Sequence, residues 1–256
     1  MSATWLIFTA RPQTLVPEVQ SCGEIASLTS SLASSAAKAR YLLSRVRSDC
    51  VVPEPAQESL RGLSEYSRLA GDAISAFLGV FSALRLAITS DNTALESDLS
   101  SIYDRYHHFV QLLDQIASLE AHNLQALDNL EQHIVREFSH PPVIHFFIMR
   151  VLSSEAWSER EIALTEVPPL LDVIRAQVKA IAQLAVELRL YAGALRERFS
   201  TAYLGEIKGL SVEVRDRLRY LIVSSSGNLG EWASSARANA YHLRQIAIPR
   251  LPRSVP

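Results

Sequence analysis

The chain has 256 residues, is 48% hydrophobic and 20% charged, and carries a formal net charge of −2. That composition supplies a sizeable core and excludes intrinsic disorder as the main state. A pI near 6.4 gives no general attraction to nucleic acid or anionic membrane, and nine glycines argue against turn-dense sandwiches, propellers and glycine-looped nucleotide folds.

The first residues, Met1 to Pro12, hold a short apolar run with no basic residue before it, so no secretory signal is expected. Cys22 and Cys50 are too few for a disulfide scaffold and are expected as reduced thiols. The best uncharged window, Ala73 to Leu84, has twelve residues, whereas a membrane span needs about 20. Together these features predict a cytoplasmic protein.

Prolines at 12, 17, 53, 55, 141, 142, 168, 169, 249, 252 and 256 leave 56–140 and 170–248 free of them. Proline costs about 3 kcal/mol inside a helix, so such spans permit long helices, with Pro53/Pro55, Pro141/Pro142 and Pro168/Pro169 as punctuation. The first block places Ile25, Leu28, Leu32, Ser35, Ala39, Leu42 and Val46 on one face. The second runs Leu60, Leu63, Ser67, Ala70, Ile74, Phe77, Phe81, Leu84 and Ile88, and Ser90-Asp91-Asn92 ends it. The third runs from Leu95 through Ile102, Tyr106, Phe109 and Leu113 to Ile116, then changes phase to Leu127, Leu130 and Ile134. A short helix is expected between the proline pairs. The fourth block passes Leu170, Ile174, Val178, Ile181, Ala185, Leu188 and Ala192, and a weaker fifth passes Val214, Leu218, Leu221, Trp232, Ala236 and Leu243.

Alternating steps of three and four residues are the seam of left-handed helix packing. The expected fold is all-α: an elongated antiparallel bundle of four to five long heptad-patterned helices, about 70% helical overall. Residues 1–248 are expected to form a single domain and 249–256 a disordered tail rich in proline and arginine. Ile74, Phe77, Phe81 and Leu84, with Ile174, Val178, Ile181 and Leu188, are predicted core residues.

Charge divides the chain. Residues 56–140 hold twelve acids and five arginines; residues 170–248 hold eleven bases and seven acids. Either these faces meet within one bundle or they await partners of opposite sign.

No chemistry stands out. Glu137-Phe138-Ser139-His140 matches the Glu-x-x-His pair of carboxylate-bridged metal bundles, but the nearest second copy, Asp104 to His107, has aspartate. His107 and His108 point about 100° apart on a helix. No nucleophile elbow or phosphate loop occurs; Gly205-Glu206-Ile207-Lys208-Gly209 lacks the glycine-lysine-hydroxyl ending. Arg215, Arg217, Arg219 and Tyr220 are interrupted by Asp216 and read as a solvated helix face, so no nucleic-acid partner is expected. No metal, cofactor or catalytic residue is predicted.

The expected function is therefore non-catalytic binding by a coiled-coil-like bundle: a scaffold, adaptor or oligomerisation module with a protein partner or a second copy. The alternative is a membrane-acting bundle that exposes its apolar helices. Five helices of unequal length leave part of a seam uncovered. The dense apolar run Val143, Ile144, Phe146, Phe147, Ile148 and Met149, just past a proline pair, is the expected partner or membrane surface.

Overall fold

Seven α-helices and one π-helical turn account for 97% of the residues described by the computed structural model, and no strand is present among them. The described residues are 16–46, 54–89, 95–139, 161–198 and 200–247. The helices are α1 (Val16–Val46), α2 (Glu54–Thr89), α3 (Leu95–Ser139), α4 (Val167–Arg198), α5 (Thr201–Lys208), α6 (Val212–Ser226) and α7 (Leu229–Ala247). The fold is an all-α bundle, as its periodicity predicts. Cys50, His140, the segment from Val143 to Met149 and the tail 249–256 lie outside the described residues.

Proline sets the helix starts. Pro17 and Pro55 sit in the first turn of α1 and α2, where a missing N–H breaks no bond of that helix. The Pro168/Pro169 pair does not separate helical blocks as its composition suggests. The chain is already helical from Glu161, and Ile162–Glu166 forms a π-turn in which the Val167 N–H donates to the Ile162 carbonyl. This wider ladder carries the chain into α4.

The fifth block differs from expectation. It forms two helices, α6 and α7, broken around Gly227, and the short helix α5, which ends at Gly209, precedes them. Glycine has low helix propensity, and the Ser200 hydroxyl marks a fresh start by accepting from the Tyr203 N–H at 3.2 Å.

The expected phase change in α3 is also absent. Ile102, Tyr106, Phe109, Leu113, Ile116, Asn123, Leu127, Leu130 and Ile134 are all buried and keep one continuous three–four register. Half-buried Glu120 and fully buried Asn123 bridge the apparent gap, so polar side chains at seam positions concealed its continuity. Of the predicted core, Ile74, Phe77, Phe81, Ile174, Val178, Ile181 and Leu188 are buried, while Leu84 is half-buried. A straight helix drifts about 20° per heptad against a 3.5-residue repeat. By the end of α2 the inward face has moved to Val80, Ala83 and Ala87. In α1 Thr29 and Ala36, not Leu28 and Ser35, occupy the buried line.

The helices supply two compact units. Among the described residues, the first takes 16–27, 69–89, 95–117, 182–198 and 200–237. Within it, α2 and α3 run antiparallel: Phe77 stacks on Phe109 with ring centroids 4.8 Å apart, and Gly79 lies beside Arg105. Phe81 meets Phe77 edge-on at 5.0 Å. Helices α2 and α7 also run antiparallel, with Gly71 against Ala233 and Leu78 against Gly230. A methyl group on Gly71 would stand 2.9 Å from the Ala233 carbonyl oxygen, so only glycine permits this approach.

Among the described residues, the second unit takes 28–46, 54–68, 118–139, 161–181 and 238–247. Here α2 and α3 pair through Ser59 against Ala126 and Gly62 against Asn123. The Tyr66 hydroxyl donates to the Val178 carbonyl at 3.0 Å, and Ser64 Oγ donates to the Ala240 carbonyl at 2.7 Å.

Within each unit the acidic and basic blocks meet. Asp72 pairs with Arg237 at 2.8 Å, Asp98 with Lys208 at 2.7 Å and Asp114 with Arg189 at 3.0 Å in the first. Arg175 pairs with Asp128 and Glu131 in the second. Complementary charge between neighbouring helices thus accounts for much of the division seen along the sequence, and sets register more than stability.

Candidate functional site

Buried polar groups stand out in the seams, because an apolar seam has no packing need for them. Thr29, Ser59, Ser64, Ser67 and Asn123 are the buried polar residues among those described, and all five belong to the second unit. Ser59 Oγ lies 2.9 Å from the Pro55 carbonyl and 3.0 Å from that of Ala126, and Asn239 donates to Thr29 Oγ1 at 3.4 Å. Asn123 is 1% exposed, and neither end of its amide meets a hydrogen-bond partner among the described residues. Its Oδ1 fills the space that a side chain at Gly62 would need. A lone asparagine on a heptad seam favours one register at a cost in stability, which is a structural role. Sequence reasoning missed it by following apolar residues only.

Beside this seam lies a cavity of about 20 Å³, lined mainly by Ala36, Ala39, Leu63, Leu127, Leu130 and Leu171, with Arg40 at its wall. That volume holds about one water molecule, far below the several hundred Å³ of a small-molecule site.

Titratable groups do not converge. No group of three His, Cys, Asp or Glu side chains among the described residues is arranged to hold a metal ion. His107 instead hydrogen-bonds Gln111 at 2.9 Å, and His133 faces Glu137 at 3.4 Å. Burial, reinforced by Glu18, pushes the Cys22 thiol well above its usual pKa, which leaves it a poor nucleophile. Burial opposes charge on Arg175, yet its hydrogen bonds to Glu131 and Asp172 outweigh that, and its pKa is raised. This arginine cluster is a clasp between α3 and α4.

The outside of the first unit has a different character. Seven of the eleven large exposed apolar residues belong to it: Leu86, Val186, Leu190, Tyr191, Val212, Tyr220 and Val223. On α4, Val186, Leu190 and Gly193 follow steps of four and three along an outward face opposite the buried Ala185, Leu188 and Ala192. Leu190 is 71% exposed, and a methyl group on Gly193 would touch nothing within 4 Å. A second apolar line, Val212, Tyr220 and Val223, runs along α6.

The predicted surface at Val143, Ile144, Phe146, Phe147, Ile148 and Met149 lies outside the described residues, so the uncovered α4 seam is the candidate site that geometry supplies. A comparison of the chain with protein-family models, with curated proteins and with solved structures finds no match.

Proposed function

We propose that this protein is a non-catalytic interaction module that receives an amphipathic helix from a protein partner on the outward face of α4. One observation carries the reading: Val186, Leu190 and Gly193 keep the spacing of a helix seam while facing solvent. Such a stripe fits the anchor pattern by which amphipathic helices dock. The run Val143 to Met149 belongs to the same proposal on sequence alone; Phe146→Ser with Phe147→Ser is expected to weaken association in sedimentation while preserving helix content.

A membrane-acting role is the second reading. By length and composition α2 alone among the described helices could cross a bilayer. Half of its apolar window is buried in the bundle, which is the behaviour of a core helix.

The test places a photo-cross-linking side chain at position 190 and, as control, at exposed Gln132 of α3. In cells that express the chain, a discrete adduct from 190 and none from 132 is expected, with the adduct abolished by Val186→Glu. Absent adducts, or equal adducts from both positions, overturn the proposal. Dye release from anionic phospholipid vesicles would establish the membrane reading in its place.

A further inference from the structure

Helix α6 carries a stripe that is complementary to itself. Val212, Asp216, Arg219 and Val223 follow steps of four, three and four, and all four are exposed. Leu218 and Ile222 face the core about 110° round the helix from this stripe, which faces solvent. Its order is apolar, acidic, basic, apolar. Reversed, the order becomes apolar, basic, acidic, apolar. Two copies laid antiparallel therefore set Val212 against Val223 at each end and Asp216 against Arg219 at both central positions. That is the layer pattern of an antiparallel helix pair, in which each seam position meets its complement. A parallel arrangement would instead face Asp216 with Asp216 and Arg219 with Arg219.

Within one chain the Asp216 and Arg219 side chains lie 3.5 Å apart, and they remain 64% and 53% exposed. That contact is long and exposed, of a kind that contributes little, so both groups remain available to a better-placed partner. Tyr220, 71% exposed, flanks the stripe and adds aromatic area at its edge.

We propose that α6 is a homotypic docking surface: a second copy of this chain seats its own α6 antiparallel on it, with paired Asp216–Arg219 contacts across a two-fold axis. The contact is isologous, so association closes at a dimer. A helix of about 22 Å buries less than a standard interface, and the dimer is accordingly weak and reversible. This inference deepens the interaction-module reading and uses a different helix from the α4 seam.

The experiment is sedimentation equilibrium of the full chain at concentrations up to about 500 µM, where weak interfaces populate. Wild type is expected to dimerise reversibly. Asp216→Arg sets four arginines at the centre of the pair, and Arg219→Asp sets four aspartates there. Each variant should weaken dimerisation at least tenfold with an unchanged helix signal. An equimolar mixture of the two should recover it as a heterodimer, because each arginine again meets an aspartate; only folded chains can give this rescue. Self-association undiminished in both variants, a mixture that stays monomeric, or a wild type monomeric throughout overturns the proposal. The position-190 adduct separates the two ideas: if it survives in Asp216→Arg, losing the dimer leaves the α4 reading intact.

Discussion

The two units solve the same packing problem with different materials. The first has an aromatic interior, with Phe77 stacked on Phe109 and edge-on to Phe81, and most of the exposed apolar side chains. The second keeps all five buried polar residues, together with the Tyr66 hydroxyl bond to Val178. Apolar contacts are strong but indifferent to small shifts along a seam, whereas a buried hydrogen bond tolerates only one register. The second unit is therefore where helix alignment is specified, and the first is where most of the exposed apolar surface lies.

The largest test removes the aromatic stack. Phe77→Ala should cost about 3–5 kcal/mol, measured by denaturant unfolding, because a fully buried ring leaves a cavity its neighbours cannot fill. A loss under about 1 kcal/mol would mean that the first unit does not depend on this stack.

Next comes the contact between Gly62 and Asn123. Gly62→Ala should destabilise by about 1–3 kcal/mol, since the new methyl group collides with Asn123 Oδ1. Adding Asn123→Ala should recover much of that loss, and the coupling in a double-mutant cycle is the measurement that matters. Additive effects would deny the second unit its register device.

A smaller effect is expected at Tyr66. Burial, with a lesser contribution from Glu120, raises its phenol above the ordinary value of about 10. The neutral form is thus favoured by folding, and its contribution is complete below the unfolded pKa and lost as pH rises through the folded value. Stability should decline above about pH 10, with Tyr66 phenolate absorbance appearing together with unfolding. Tyr66→Phe should cost about 1 kcal/mol at neutral pH and flatten that alkaline decline.

The smallest lies on the surface of the second unit. The Arg68 hydrogen bond, aided by Arg244 and opposed by partial burial, holds the Glu65 carboxyl below its usual range. Its contribution is present above the unfolded pKa and fades as pH falls through the folded one. Arg68→Ala should move Glu65 back toward ordinary carboxylate titration, followed by NMR of its side-chain carboxyl carbon, with little change in stability at neutral pH. A loss of several kcal/mol would mean that the surface pair, not the buried seam, governs this unit.

The α2 and α4 seams were readable in advance, whereas the meeting of the charge blocks was one of two readings that the sequence left open. Asn123 was not, because a polar side chain interrupts the very pattern by which a seam is recognised. Likewise the stripe Val212, Asp216, Arg219 and Val223 does not stand out in the sequence beside the solvated face of Arg215, Arg217, Arg219 and Tyr220. Its charges alone do not reveal which side of the helix is covered, and burial of Leu218 and Ile222 supplies that information.

By itself the sequence determined the all-α class, four long helices and most of their inward faces, because helical periodicity and proline avoidance are local properties of the chain. Only the tertiary structure decided that α3 keeps one continuous seam, that the fifth block is two helices, and that Val186 and Leu190 face outward. An apolar side chain carries the same pattern whether or not another helix lies over it. Its exposure depends on neighbours supplied by residues far away in the chain.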